Sequence, residues 1–278
     1  MPPVPLTGEQ IRFFHERGYL AIPRITSERD VEALRISYDR IFRERAGRDL
    51  GDHFDLAGPD REEGKESLPQ ILHPARYAPE MNESELLRNA TVLSKQLLGP
   101  DATCEIAHAI FKPAGFGAET PWHQDAAYWS PEMRYTALSV WVPLQEATGE
   151  NGCMQFIPGS HLLDVLRHRS INDDPRIHGL ELHPDETNRV RDVVSCPLPP
   201  GGATFHGPYM LHHTGRNRSS TPRRALIVNA GLPPVKRSHP LRFEWMEGKT
   251  TAREERARAS AERGLDPGAP PTGATPRG

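Results

Sequence analysis

The first hundred residues have the apolar spacing of amphipathic helices. Thr7, followed by Gln10 three residues later, is a capping-box pattern, and Gly18 suits a helix C-cap, so a first helix is predicted between them. A short strand is predicted directly after it. A second helix is predicted to begin near residues 27–30, and a third to cover residues 83–98. The second helix has one apolar stripe, formed by Val31, Leu34, Tyr38, Ile41 and Phe42.

From Thr103 onward, short β-rich runs replace the helical pattern, and turn signals such as Asn151-Gly152 separate them. The predicted strands cover residues 103–111, 136–144, 154–157, 193–198, 203–206, 210–213 and 225–230. Many short strands after a helical start predict a mainly β protein with flanking helices, built on an antiparallel double-sheet jelly roll.

The predicted organisation is a single domain over residues 1–248. Its N-terminal helices extend to about residue 100, and the jelly-roll core covers about 103–235. Residues 249–278 are rich in Arg, Glu and Ala and end in a Pro- and Gly-rich run, which predicts a frayed helix followed by a partly disordered tail. The polar, turn-rich residues 47–66 predict a mobile loop.

Composition excludes several classes of protein. The net charge of −3 gives no general attraction to nucleic acid or to anionic membranes, and no apolar run reaches the ~18 residues of a membrane span. The N-terminus lacks the basic flank and apolar core of a secretory signal. Three widely spaced cysteines without a Cys-x-x-Cys pair favour reduced thiols in a cytoplasmic protein. The composition therefore predicts no nucleic-acid partner and no membrane partner.

His123 and Asp125 are the strongest indication of chemistry in the chain. Positions i and i+2 of a strand project from the same face, so these two side chains can bind one ion together. His212 is far downstream and supplies a third ligand of suitable chemistry. Two imidazoles and one carboxylate form the facial triad of non-heme Fe(II) oxygenases, which leaves coordination positions open for substrate and oxygen.

Three sequence blocks resemble the phytanoyl-CoA dioxygenase family. They are PWHQD at residues 121–125, ENGCMQFIPGSH at residues 150–161 and LHHTGRNRS at residues 211–219. The resemblance extends from about residue 6 to residue 230. It implies a double-stranded β-helix and an oxygenase that depends on Fe(II), 2-oxoglutarate and O2. It also places the metal ligands at His123, Asp125 and His212, since His212, rather than His213, stands at the position of the family's distal histidine.

The resemblance also implies a 2-oxoglutarate site. Arg223 stands where the family binds the far carboxylate of the cosubstrate, and a guanidinium can do this with two parallel hydrogen bonds. Arg224 is expected to point to the opposite face of the strand. Thr214 is predicted to add a hydroxyl hydrogen bond to the same carboxylate, and Trp141 to pack along the cosubstrate. Turnover would release succinate and CO2 while an unactivated C–H bond of a small-molecule substrate is oxidised.

The expected outcome is hydroxylation. Halogenases of this fold lack the carboxylate ligand, which is present here as Asp125. Desaturation, epoxidation or cyclisation by the same oxidising chemistry stays open, because the outcome depends on how the substrate is placed. An alternative of another class is a non-catalytic jelly-roll protein that binds a metal or a carboxylate.

The substrate pocket is predicted to include Tyr128, Trp129 and His206. Lys112 and His178 are expected to be an ordinary solvated lysine and a structural or surface histidine. Loops 47–66 and 164–188 are the expected lid and specificity elements. No run of Lys and Arg lies near the predicted mouth, which disfavours the phosphates of a CoA ester.

Overall fold

The computed structural model describes residues 5–60 and 65–264. It has four α-helices: α1 Gly8–Arg17, α2 Glu28–Arg43, α3 Glu85–Leu98 and α4 Ala252–Glu262. The capping box of α1 forms as predicted, with Gln10 N–H donating to the Thr7 hydroxyl and Thr7 N–H donating to the Gln10 side chain. Gly18 ends the helix at φ 83°, a left-handed conformation that favours glycine.

The described residues form fifteen strands, of which twelve lie after the predicted change of pattern at Thr103. They are β1 Tyr19–Ile22, β2 His53–Asp55, β3 Pro69–Leu72, β4 Thr103–Lys112, β5 Thr120–His123, β6 Met133–Arg134, β7 Ala137–Pro143, β8 Met154–Phe156, β9 His168–Ser170, β10 Leu180–Leu182, β11 Val194–Cys196, β12 Ala203–His206, β13 His212–Thr214, β14 Arg223–Gly231 and β15 Val235–Lys236. Each of the seven predicted strands has a counterpart among these, with ends shifted by at most two residues.

Two antiparallel sheets form the jelly roll. The larger has the order β1-β12-β7-β14-β4-β3-β2, and the smaller has the order β11-β8-β13-β5. Alternation along β7 gives the larger sheet two different faces. Val140 and Val142 pack in the core shared with the N-terminal helices, whereas Trp141 packs in the core between the sheets. The helices therefore cover the outer face of the larger sheet, and its inner face is left for the site.

The prediction for residues 47–66 was wrong where the structure describes them. This segment contains β2, which pairs with β3 at the edge of the larger sheet, and Phe54 is fully buried. A single aromatic residue among charged neighbours gives too little alternation to indicate a strand. Residues 61–64 lie outside the described residues.

The helix predicted after residue 249 is present as α4, but it is docked on the domain and not frayed. Helix α4 docks on the domain through Arg256, whose guanidinium donates to the carbonyl oxygens of Arg48 and His53 and pairs with Asp60. At Gly51 a Cβ would lie 2.6 Å from the Arg253 carbonyl oxygen, so the close approach requires glycine. These contacts are polar and leave no apolar stripe in the sequence. Residues 265–278 of the predicted tail lie outside the described residues.

A network of ion pairs supports this docking surface. The Glu66 carboxylate accepts hydrogen bonds from Arg45, Arg48 and His53 at 2.8, 3.2 and 3.0 Å. Burial acts to raise the pKa of Glu66, but the bonds from His53 and Arg45 outweigh it and lower the pKa to about 2. Within the described residues, no helix is both long enough and apolar enough to cross a membrane.

We expect Glu66→Gln to destabilise the protein by about 1–3 kcal/mol at pH 7, because the charged hydrogen bonds are lost. The stabilisation that ionised Glu66 gives to the wild-type protein should be complete above about pH 4.5, the ordinary pKa of glutamate. It should disappear as the pH falls towards 2. Chemical denaturation of wild type, Glu66→Gln and the exposed control Glu105→Gln at several pH values measures this. A Glu66→Gln deficit that stays the same at pH 3 would contradict the assignment.

Candidate metal centre

His123 and His212 face each other across two strands of the smaller sheet. They are directly paired between β5 and β13, and their ring centroids lie 4.1 Å apart. Each Nδ1 lies within hydrogen-bond distance of a backbone carbonyl oxygen two residues earlier, that of Pro121 at 2.8 Å and that of Met210 at 2.9 Å. Donation from Nδ1 fixes the ring orientation and leaves both Nε2 atoms as free ligands.

Asp125 lies just beyond the strand on which the sequence placed it. β5 ends at His123, and Asp125 begins a short 3-10 helix. Gln124 between them keeps an extended backbone at φ −120° and ψ 133°, so residues 123 and 125 still project to one side. Its side chain donates to the Tyr209 carbonyl at 2.7 Å and accepts from Leu166 N–H at 2.8 Å, which anchors the turn.

The Asp125 carboxylate is oriented by Ser139. The Ser139 hydroxyl donates to Asp125 Oδ2 at 2.6 Å, while Oδ1 lies 3.4 Å from His212 Nε2 and 3.7 Å from His123 Nε2. The ligand atoms of His123, Asp125 and His212 all lie within 4.8 Å of one another. This donor set suits a single Fe(II) ion with an open side.

Local electrostatics holds His123 and Asp125 in the protonation states that bind metal. Burial and the neighbouring His212 keep the pKa of His123 well below its ordinary value. Burial acts to raise the pKa of Asp125, but the proximity of His212 and His206 outweighs it and lowers that pKa well below the usual range. A neutral imidazole and an ionised carboxylate are the forms that bind metal.

The neighbouring His213 is turned away from this centre. Its Nδ1 lies 3.1 Å from Gln155 Oε1, and its ring stacks on Trp122 at a centroid distance of 5.2 Å. Consecutive strand residues point to opposite faces, so only His212 of this pair can join the triad.

His206 lies beside the triad, at the end of β12. Its Nε2 is 3.6 Å from Asp125 Oδ2, and its ring centroid is 4.4 Å from that of His212. Neither ring nitrogen has a hydrogen-bond partner among the described residues. The side chain lines the cavity, as predicted from its sequence position.

Arg223 and Arg224 project from opposite faces of β14, as predicted. Arg223 points inward with 1% of its surface exposed, and its guanidinium lies 5.4 Å from the ring centroid of Trp141. It donates to the Ile110 carbonyl at 3.4 Å, and its Nε has no partner among the described residues. Burial lowers its pKa to about 10, so it stays charged at neutral pH. Arg224 points outward and binds both oxygens of Asp39, at 2.6 and 3.0 Å.

Polar side chains hold the part of β13 that follows His212. The Thr214 hydroxyl donates to the Thr120 hydroxyl at 3.0 Å, and both residues line the cavity. The prediction that Lys112 is solvated was wrong, because this side chain is fully buried. Its ammonium donates to the carbonyl oxygens of Thr214 at 3.1 Å and Gly215 at 2.6 Å. The lysine therefore ties β4 to the strand that bears His212.

A cavity of about 390 Å³ joins these groups. It is lined by all nine residues predicted for the site: His123, Asp125, Tyr128, Trp129, Trp141, His206, His212, Thr214 and Arg223. Sequence reasoning missed His108, Ser139, Asn229 and Arg253, and it misassigned His178. Alternation was the available signal for two of these, since Ser139 is two residues before Trp141 and Asn229 is six after Arg223.

A profile of the family described as phytanoyl-CoA dioxygenase (PhyH) matches residues 14–225. The chain belongs to the phytanoyl-CoA dioxygenase family. Among the family's named enzymes, it is 26% identical over 247 residues to the peroxisomal phytanoyl-CoA dioxygenase of Mus musculus, covering 81% of this chain and 68% of that one. It is 27% identical over 258 residues to the L-proline trans-4-hydroxylase of Streptomyces griseoviridis, covering 86% and 91%.

Solved structures agree with this membership. EvdO2 from Micromonospora carbonacea var. aurantiaca matches with a TM-score of 0.76 and 36% identity, covering 89% of this chain and 100% of that chain. The same protein complexed with 2-oxoglutarate matches with a TM-score of 0.74 and 33% identity, covering 88% and 98%. The fold is the double-stranded β-helix of this family of oxygenases, as predicted. The protein is an Fe(II)- and 2-oxoglutarate-dependent dioxygenase, and the non-catalytic alternative is not supported.

We expect Ser139→Ala to weaken Fe(II) binding about 10- to 100-fold, because Asp125 loses the hydroxyl that orients its carboxylate. Anaerobic competition with a chromogenic chelator measures the dissociation constant. Ser195→Ala is the matched control, since Ser195 is exposed on β11 of the smaller sheet. Equal affinities of the two variants would contradict the orienting role.

Proposed function

We propose that His123, Asp125 and His212 hold the Fe(II) ion of this dioxygenase. The observation that supports this most strongly is the convergence of two Nδ1-anchored histidines and one Ser139-bound carboxylate within 4.8 Å. When bound, iron and 2-oxoglutarate supply the oxidising chemistry, in which O2 is consumed and 2-oxoglutarate is converted to succinate and CO2. The protein's own residues supply binding, orientation and a dry environment.

We propose that Arg223 binds the far carboxylate of 2-oxoglutarate. Its buried guanidinium has an unpartnered Nε, and Thr214 and Trp141 line the same cavity. An Arg–carboxylate pair can form two parallel hydrogen bonds, which fixes both the position and the direction of the cosubstrate. The Thr214 hydroxyl would turn from Thr120 to donate to this carboxylate, and the indole of Trp141 covers the guanidinium from one side.

We propose hydroxylation of an unactivated C–H bond in a small molecule. The cavity of about 390 Å³ lies at the small end of ordinary ligand sites, and it has to hold the cosubstrate and the reacting part of the substrate together. Apolar side chains such as Ile227 and Met154 in its wall limit the access of water to the reacting groups. A substrate hydroxylated under ¹⁸O2 should gain one labelled oxygen atom. A product that has lost two hydrogen atoms without gaining oxygen would instead identify desaturation or cyclisation.

We further propose one catalytic domain that includes α4, because the residues that line the cavity extend from Leu56 to Glu254.

We also propose a reducing, cytoplasmic location, which is supported by the three unpaired cysteines Cys104, Cys153 and Cys196.

The assignment of Arg223 is tested by a pair of matched variants. Arg223→Lys should raise the dissociation constant for 2-oxoglutarate about 10- to 100-fold, because one ammonium cannot replace two parallel guanidinium bonds. Arg224→Lys, which alters only the outer-face pair with Asp39, should leave that constant within about threefold of wild type. Anaerobic titration of the Fe(II)-loaded protein and the KM for succinate formation are the two readouts. A larger effect at position 224 would reject the assignment.

A further inference from the structure

The cavity extends well beyond the groups that iron and 2-oxoglutarate would occupy. Inward-facing residues of β14 follow one another from Arg223 through Ile227 to Asn229. At about 3.3 Å per residue, Asn229 lies roughly 20 Å along the strand from Arg223. Asn229 is paired with Ser139, which holds Asp125, so this strand extends from the cosubstrate site to the metal ligands, whereas Leu56, His178 and Arg253 line the cavity from other segments.

A series of ring contacts begins at the metal ligand His123 and ends at a cation that lines the cavity. Tyr128 packs edge-on to His123, and His178 stacks on Tyr128 at a centroid distance of 5.9 Å. Phe54 packs edge-on to His178 at 4.9 Å, and the Arg253 guanidinium lies 5.1 Å from the Phe54 ring centroid. The series of contacts leads from the metal ligands to the first turn of α4.

Arg253 has no ion-pair partner among the described residues. Its Nε is buried without a hydrogen bond, although the side chain lines the cavity. Burial lowers the pKa of Arg253, and the Asp52 carboxylate, which already accepts hydrogen bonds from Arg76 and Tyr77, opposes this shift only in part. Of the acidic residues that line the cavity, Asp125 is used by the metal, which leaves Glu254 next to Arg253 on the helix.

His108 on β4 provides a second donor in the lining of the same cavity. Its Nδ1 accepts from the Gln70 amide at 3.0 Å, so Nε2 carries the proton of the neutral ring. Burial is the main reason that its pKa falls to about 4, and the nearby Arg253 contributes. A neutral histidine N–H and an unpaired guanidinium together form a site that accepts an anionic oxygen.

We propose that the substrate carries an anionic group, a carboxylate or a phosphate ester, and that Arg253 on α4 binds it as the specificity-determining residue. The inference rests on the proposed oxygenase site and adds the class of substrate. Docking of α4 through Arg256 and Gly51 holds the guanidinium at the end of the cavity. The reactive C–H bond of the substrate then lies between this anchor and the metal triad.

The experiment uses probe anions on protein saturated with Fe(II) and 2-oxoglutarate under anaerobic conditions, so that Arg223 is already covered. The probes are two acid–amide pairs, acetate with acetamide and phenylacetate with phenylacetamide, together with inorganic phosphate. Binding is followed by the change in the visible charge-transfer band and by paramagnetic relaxation of the probe protons. Because an acid and its amide have nearly the same shape, their difference in affinity reports charge recognition.

At least one acid should bind wild type ten- to hundredfold more tightly than its amide, as expected for a charge-assisted pair. Arg253→Gln should abolish this preference, and Arg253→Lys should retain part of it. The neighbouring Glu254→Gln should keep the preference. Tighter binding of phosphate than of the carboxylates would identify a phosphate ester as the source.

Equal affinity for acid and amide in wild type, or a preference that survives Arg253→Gln, would overturn the proposal. The charge-transfer band separates this result from failure of the oxygenase site itself. A wild-type protein that shows the band but no anion preference refutes only the role of Arg253. Absence of the band in wild type refutes the proposed metal and cosubstrate site instead.

Discussion

His212 lies directly opposite His123 in the antiparallel ladder between β13 and β5, and the remaining features of the site depend on this pairing. The register brings two residues separated by 89 positions to a ring distance of 4.1 Å. Because the side-chain period of a strand is two, a slip of one residue would present His213 instead and move His212 to the outer face. The buried ammonium of Lys112 supports the register by binding the two carbonyl groups that follow on β13 and beyond it.

The same alternation gives the larger sheet two separate tasks. Its outer face contributes Val140 and Val142 to the core under the helices, and its inner face contributes Ser139 and Trp141 to the cavity. Arg223 and Arg224 show the division most clearly, since one cation lines the buried cavity and its neighbour binds the carboxylate of Asp39 on the outer face. Packing on one face thus holds the polar groups of the other face in position.

The sequence alone predicted those site residues whose type and spacing both indicate metal binding. The spacing of His123 and Asp125 indicated ligands on one side of the chain, although Asp125 stands on a turn rather than on the strand. The docking of α4 could not be predicted, because it depends on hydrogen bonds from Arg256 to backbone carbonyls and leaves no apolar periodicity. The burial of Lys112 was missed for a similar reason, since its partners are carbonyl groups more than 100 residues away.

The central claim is that His212 completes an iron site to which 2-oxoglutarate binds. The most direct measurement is anaerobic addition of Fe(II) and then 2-oxoglutarate to the metal-free protein, with the visible metal-to-ligand charge-transfer band recorded for wild type, His212→Ala and His213→Ala. The band should form in wild type and in His213→Ala, and it should be lost in His212→Ala. No band in folded, iron-loaded wild type, or a band that persists without His212, would contradict the account.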